Sequence, residues 1–175
     1  MLQEVSMNAL DILEYGHQTV MNAVKDVPAD QWEHPIVPGG WSVKDTIAHM
    51  ASFELLLLDV LHTTFCHTQS TLLERWLKDG EQFNHDEVAA RANASAQDVL
   101  NEYREAHFEV INMILRIPPD ELRQTGLLPW YGDGYDVEDF IVYAFYGHKR
   151  EHSAQINLFR DHLVSRAEFN QYENA

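Results

Sequence analysis

Cysteine is nearly missing from the chain: Cys66 stands alone among 175 residues. An internal disulfide is therefore excluded, as is a thiolate zinc cluster. At this length, with 45% hydrophobic residues, a full core forms without covalent help. Basic residues are also scarce. Twelve Lys and Arg face 28 Asp and Glu, for a formal charge of −16, and such a field repels phosphate backbones and anionic lipid surfaces. On that ground nucleic acid is excluded as a partner. No apolar run approaches the roughly 20 residues of a membrane span; Leu55 to Leu58 is among the longest. Nor does a basic segment followed by an apolar one open the sequence, so a cytoplasmic protein in a reducing compartment is expected. Period-two alternation is absent too, which leaves no half-buried strand.

What is present is helical spacing in four long segments. The first runs from about Leu2 to Asp26, with Val5, Ala9, Ile12, Gly16, Val20 and Ala23 on one stripe, and stops at Val27-Pro28 because proline cannot continue a helix. The second follows the turn-rich PIVPGG, where Ser42 and Asp45 have capping-box spacing, and ends near Cys66. Ser95 heads the third, which reaches Ile117 before Pro118-Pro119. Asp136 and Asp139 repeat the start signal before the fourth, which extends to about Arg166.

Between the second and third helices, residues 67–94 carry two short helical patterns, TLLERWLK and HDEVAARA, separated by a turn signal at Asp79-Gly80. At about 1.5 Å per helical residue this connection is long enough to cross the bundle, so the second and third helices run parallel. The expected fold is all-α: an up-down-down-up four-helix bundle with a long helix 2–3 connection containing short helices. Residues 1–166 form the single domain and 167–175 a frayed tail. The second and fourth helices are then antiparallel.

That arrangement bears on the histidines. His148 and His152 fall on the apolar stripe of the fourth helix, in line with Ile141, Phe145, Ile156 and Phe159. Residues four apart stack one above the other, about 5–6 Å between Cβ atoms, which suits two imidazoles on one metal. In a chain with ten histidines an HxxxH pair is also produced by composition alone, so a third ligand is needed. His49, two turns into the second helix, reaches the height of His152 when the two helices are antiparallel. Three neutral imidazoles suit a divalent ion such as Zn²⁺ or Ni²⁺ and leave positions open for water or substrate. The remaining histidines have simpler readings: His34, His62, His67 and His85 as solvated surface, His162 as a partner of the helix dipole, and His17 and His107 as interior or near-ligand groups.

These residues resemble a known family. WSVKDTIAHMASFE (41–54) is similar to the signature of the DinB-like four-helix-bundle superfamily, whose second helix opens on Trp-Ser or Trp-Thr with a histidine eight residues after the tryptophan. GHKREHSAQI (147–156) matches its last-helix H-x-x-x-H followed by Gln-Ile. The resemblance reaches from the first helix to about residue 163. It implies a divalent metal, nickel or zinc, held by His49, His148 and His152 in a cleft at one end of the bundle. It also implies an activity drawn from thiol-dependent S-transferases using bacillithiol or mycothiol, metal-dependent isomerases and hydrolases, or genotoxin-protective relatives.

The expectation is a metal-dependent enzyme, S-transferase or hydrolase in type, acting on a small electrophilic molecule. The alternative is a non-catalytic, stress-associated or ligand-binding bundle in which the metal is structural. A low-molecular-weight thiol is the expected co-substrate and a homodimer the expected assembly. Around the metal, Trp130 and Tyr131 are candidates for an aromatic wall overhanging the cleft, with core packing as the competing reading. Glu54 and Glu151 are candidates for acid-base or ligand-supporting groups, against the reading of solvated helix carboxylates. Trp41 is assigned a structural role as a hydrophobic lock at the start of the second helix. Lys149 and Arg150 are the basic residues beside the pair, with solvent as their alternative surroundings.

Overall fold

The computed structural model describes residues 8–37 and 39–173, with side chains to Ser165. The first long helix, α1 (Ala9–Val24), opens on Asn8, whose side chain accepts the Asp11 N–H at 3.1 Å. The earlier start expected at Leu2 lies outside the described residues. Helix α2 (Val43–Cys66) begins with a complete capping box. Ser42 Oγ accepts the Asp45 N–H at 3.1 Å, and the Asp45 carboxylate accepts the Ser42 N–H at 3.0 Å. Because Ser42 is buried, its loss leaves a helix N–H with no water to replace the cap. Ser42→Ala is expected to cost about 1 kcal/mol, a fall of about 2–4 °C in melting temperature for a chain of this size, measured by thermal circular dichroism.

The connection after α2 is almost wholly helical: α3 (Leu72–Lys78), then α4 (Gly80–Ala90). The second of these starts five residues before the HDEVAARA pattern. Asp79, read as half of a turn signal, caps it instead, its carboxylate accepting the Gln82 N–H at 3.0 Å. At the far end Arg91 holds Glu102 at 2.6 Å and Glu87 at 2.9 Å, tying the crossover to α5 (Ala96–Ile114). That helix stops three residues short of the expected end, and a single turn, α6 (Pro119–Leu122), follows the prolines.

The fourth segment is one rod in three parts: α7 (Val137–Phe140), a π-helical stretch over Ile141–Tyr146, and α8 (Gly147–Glu173). The π stretch is not signalled by apolar periodicity. Each of its i→i+5 bonds takes one more residue per turn than an α-helical bond, so the buried stripe is carried one position along. Ile141 and Phe145 are followed by Lys149 and Ser153 at its centre, then Ile156 and Phe159. His148 and His152, expected in line with the core, sit half-buried at its edge.

The shared core residues give the helix directions. The start of α2 (Val43, Ile47) packs with the start of α5 (Val99, Tyr103), the end of α1 (Val20, Val24) and the later part of α8 (Ile156, Phe159). At the other end the start of α1 (Ile12, Leu13) meets the end of α2 (Leu57, Leu61), the end of α5 (Val110, Ile114) and Phe140 to Phe145. This is the up-down-down-up bundle, with α2 and α8 antiparallel. Helices α2 and α5 pair closely, as do α1 and α8, whereas α2 and α8 approach over a short stretch only. Between the two apolar clusters lies a polar layer holding His17, Glu54, His107 and Lys149. Among the described residues there is no strand, and no helix is long and apolar enough to cross a membrane.

Candidate metal centre

His49 lies in the second turn of α2, 3% exposed, its ring held between Trp41 and Phe53 with centroids 4.8 Å from each. His148 and His152 come from the first two turns of α8, where that helix crosses α2. His49 Nε2 is 2.8 Å from His148 Nε2, and His152 Nε2 is 2.9 Å from the same atom. One ligand nitrogen from each of the three lies within 4.8 Å of the others.

The protonation chemistry of such a cluster is restrictive. Each neutral imidazole carries one N–H and one lone pair, and His148 Nε2 has a single valence to offer two neighbours. A cation at the centre satisfies all three lone pairs together. Burial, and after it the neighbouring His148 and His152, lower the His49 pKa to about 2. His148 is lowered to about 3, first by burial, then by His152 and the Lys149 ammonium. At neutral pH both are unprotonated, the state a metal requires. His152 is oriented from behind: its Nδ1 lies 2.9 Å from Gln155 Oε1, which accepts the Nδ1 proton and leaves the Nε2 lone pair facing His148. The donor set is all nitrogen, which suits zinc, nickel or copper over calcium or magnesium. Gln155→Leu is expected to weaken metal binding about tenfold, measured by calorimetric titration.

Beside His152 opens a cleft of about 270 Å³ lined by Ile36, Val37, Trp41, Thr46 and Gln155. Its wall is the loop before α2, folded back by the Ile36 N–H donating to the Trp41 carbonyl at 2.9 Å. Trp41 thus contacts His49 and faces the cleft. Sequence alone misses this, because the contact arises from the return of the loop.

The other candidates go elsewhere. Trp130 and Tyr131 pack on Phe140, and Trp130 meets Trp76, so both join the apolar cluster, as the core-packing reading has it. Glu151 is exposed. Glu54 is completely buried, paired with Lys149 and 3.6 Å from His107 Nδ1. It is neither a solvated helix carboxylate nor a member of the histidine cluster. Lys149 is buried with it, while Arg150 is exposed and lies over the Tyr146 ring. His17 and His107 stack face to face at 4.1 Å, and His34, His62, His67, His85 and His162 are exposed.

Solved structures share this architecture. A protein from Streptococcus pneumoniae superposes with a TM-score of 0.74 at 13% identity, over 91% of this chain and 94% of its own. The colibactin self-resistance protein ClbS, in complex with double-stranded DNA, superposes with a TM-score of 0.71 at 12% identity, over 87% of this chain and 93% of its own. No functionally curated sequence matches at a significant level. The ClbS complex corrects the expectations about partners. Exclusion of nucleic acid from net charge does not hold for this fold, since a bundle of the same shape is seen on duplex DNA. Net charge governs long-range steering, whereas docking is decided by a local surface. The thiol co-substrate and the homodimer find no support in the comparisons. The sequence profile of the DinB superfamily covers residues 12–156, which include the whole histidine cluster, and the chain belongs to that superfamily.

Proposed function

We propose that the protein is a metal-dependent enzyme of hydrolase type, acting on a small electrophilic molecule at the cleft beside His152. His49, His148 and His152 hold the ion, with zinc and nickel as the candidates their donor set favours. The supporting observation is the convergence of three imidazole nitrogens within 4.8 Å of one another at the wall of a cleft. A divalent ion with open positions supplies Lewis acidity, lowering the pKa of water toward about 7.

The chain's own groups do the rest. Trp41, Ile36 and Val37 present apolar surface to the substrate and limit water around it. Trp41 and Phe53 fix the His49 ring, and Gln155 fixes that of His152. The lining contains no charged side chain, which favours an uncharged substrate. A reducing, cytoplasmic setting suits the exposed thiol of Cys66.

Untagged protein titrated with Zn²⁺ and with Ni²⁺ is expected to bind one equivalent per chain. Metal-loaded protein is then expected to hydrolyse an activated ester such as p-nitrophenyl acetate faster than the metal-free form. Absence of stoichiometric binding rejects the site; binding without any rate difference rejects catalysis of this type. A duplex-DNA titration of the same preparation separates a free substrate from one carried on DNA, the ligand seen with ClbS.

A further inference from the structure

One turn from the histidine cluster, toward the middle of the bundle, two charges are buried. Glu54 on α2 is 0% exposed and Lys149 on α8 is 4% exposed, and the two form an ion pair. Groups from all four long helices surround them. His107 of α5 brings Nδ1 to 3.6 Å from the Glu54 carboxylate, and His17 of α1 stacks on His107. Gly16 of α1 lies against the Lys149 stem so closely that a Cβ there would stand 2.9 Å from Lys149 Cδ. A glycine at this point of α1 makes room for the lysine.

The placement matters because of how the bundle is layered. Helices α2 and α5 form one layer and α1 and α8 the other, with α2 and α8 close over a short stretch only. The histidine cluster spans that seam, with His49 on one side and His148 and His152 on the other. Glu54 and Lys149 span the same seam, five residues beyond His49 and one beyond His148. Apolar contacts across such a seam tolerate sliding, whereas an ion pair in a low-dielectric interior has a narrow optimum in separation and direction.

We infer that the Glu54–Lys149 pair sets the register of the two ligand-bearing helices and thereby the geometry of the three-histidine cluster; the inference rests on that cluster binding metal. Both are positioning residues, with no contact to metal or substrate.

The test exchanges the pair for apolar residues of similar size. The double variant Glu54→Leu, Lys149→Met removes both charges together, and such replacements are commonly neutral or stabilising for the fold. Metal-free double variant is expected to melt at or above the wild-type temperature. Its Zn²⁺ affinity, measured by calorimetry, is expected to fall about 10–100-fold, and the absorption bands of its Co²⁺ form to shift from those of wild type. Gly16→Ala is the second probe: it retains both charges, displaces the Lys149 stem, and is expected to weaken Zn²⁺ several-fold. Should wild type bind Zn²⁺ while both variants bind it equally tightly with unchanged Co²⁺ spectra, the register inference is overturned and the metal site stands. Should wild type bind none, both fall together.

Discussion

Replacing His148 by alanine abolishes stoichiometric binding of Zn²⁺ and Ni²⁺. Of the three imidazoles His148 is the central one, with Nε2 2.8 Å from His49 and 2.9 Å from His152. Removing it leaves one ligand on each helix and a gap between them. Loss of a direct ligand exceeds the roughly 10–100-fold effect of losing an outer partner, so affinity is expected to fall by more than about 100-fold. A thermal readout checks the same point independently. Saturating metal at about 100 times Kd stabilises a folded protein by about 2.7 kcal/mol, or roughly 5–10 °C in this size range. Wild type is expected to show that rise on adding Zn²⁺ and His148→Ala to show none. A variant that still binds one equivalent, or still gains the full thermal shift, would place the metal elsewhere.

Much of this was legible from residue order. Proline stops, serine and aspartate caps and apolar spacing located the four long helices. The length of the 67–94 connection fixed the parallel pairing of α2 and α5, and with it the meeting of His49 with His148 and His152. What escaped the sequence was long-range or non-α-helical. The π turn at Ile141–Tyr146 leaves no mark on the apolar pattern, yet it carries Lys149 and Ser153 into the core. Glu54 and Lys149 are each ordinary surface residues by type; only their mutual approach makes their burial tolerable, and no local pattern reports a pairing across 95 residues. For Trp130 and Tyr131 two readings stayed open, because a Gly-rich aromatic loop looks the same whether it overhangs a cleft or packs on Phe140. Net charge misled for a related reason: it is a sum over the chain, and the ClbS complex shows that this bundle shape is compatible with a DNA ligand.

The buried pair also yields the largest expected loss of stability. Lys149→Met leaves the Glu54 carboxylate buried with His107 as its remaining neighbour, and an uncompensated buried charge of this kind costs about 3–5 kcal/mol, roughly 6–20 °C in melting temperature. The pH dependence identifies the cause. In wild type, burial pushes the Glu54 carboxyl up, but the Lys149 ammonium, with the nearby His107 ring adding to it, outweighs burial and holds the group at about 2. A carboxyl depressed below its ordinary value near 4.5 contributes stability that is present in full above that value and lost as pH falls toward 2. Without the lysine, burial dominates and the carboxyl rises above its ordinary value. The variant's deficit is then greatest at neutral pH and shrinks on acidification, as the carboxyl takes up a proton in the folded state. The melting curves are compared at about pH 7.5 and about pH 5; because the ammonium also lowers the His17 and His148 pKa values, the variant Glu54→Gln, Lys149→Met is the control that isolates the carboxylate. A deficit that stays constant or widens toward pH 5 would mean that the lysine acts through packing of its stem against Gly16, and that the buried carboxylate is stabilised by something other than its ammonium.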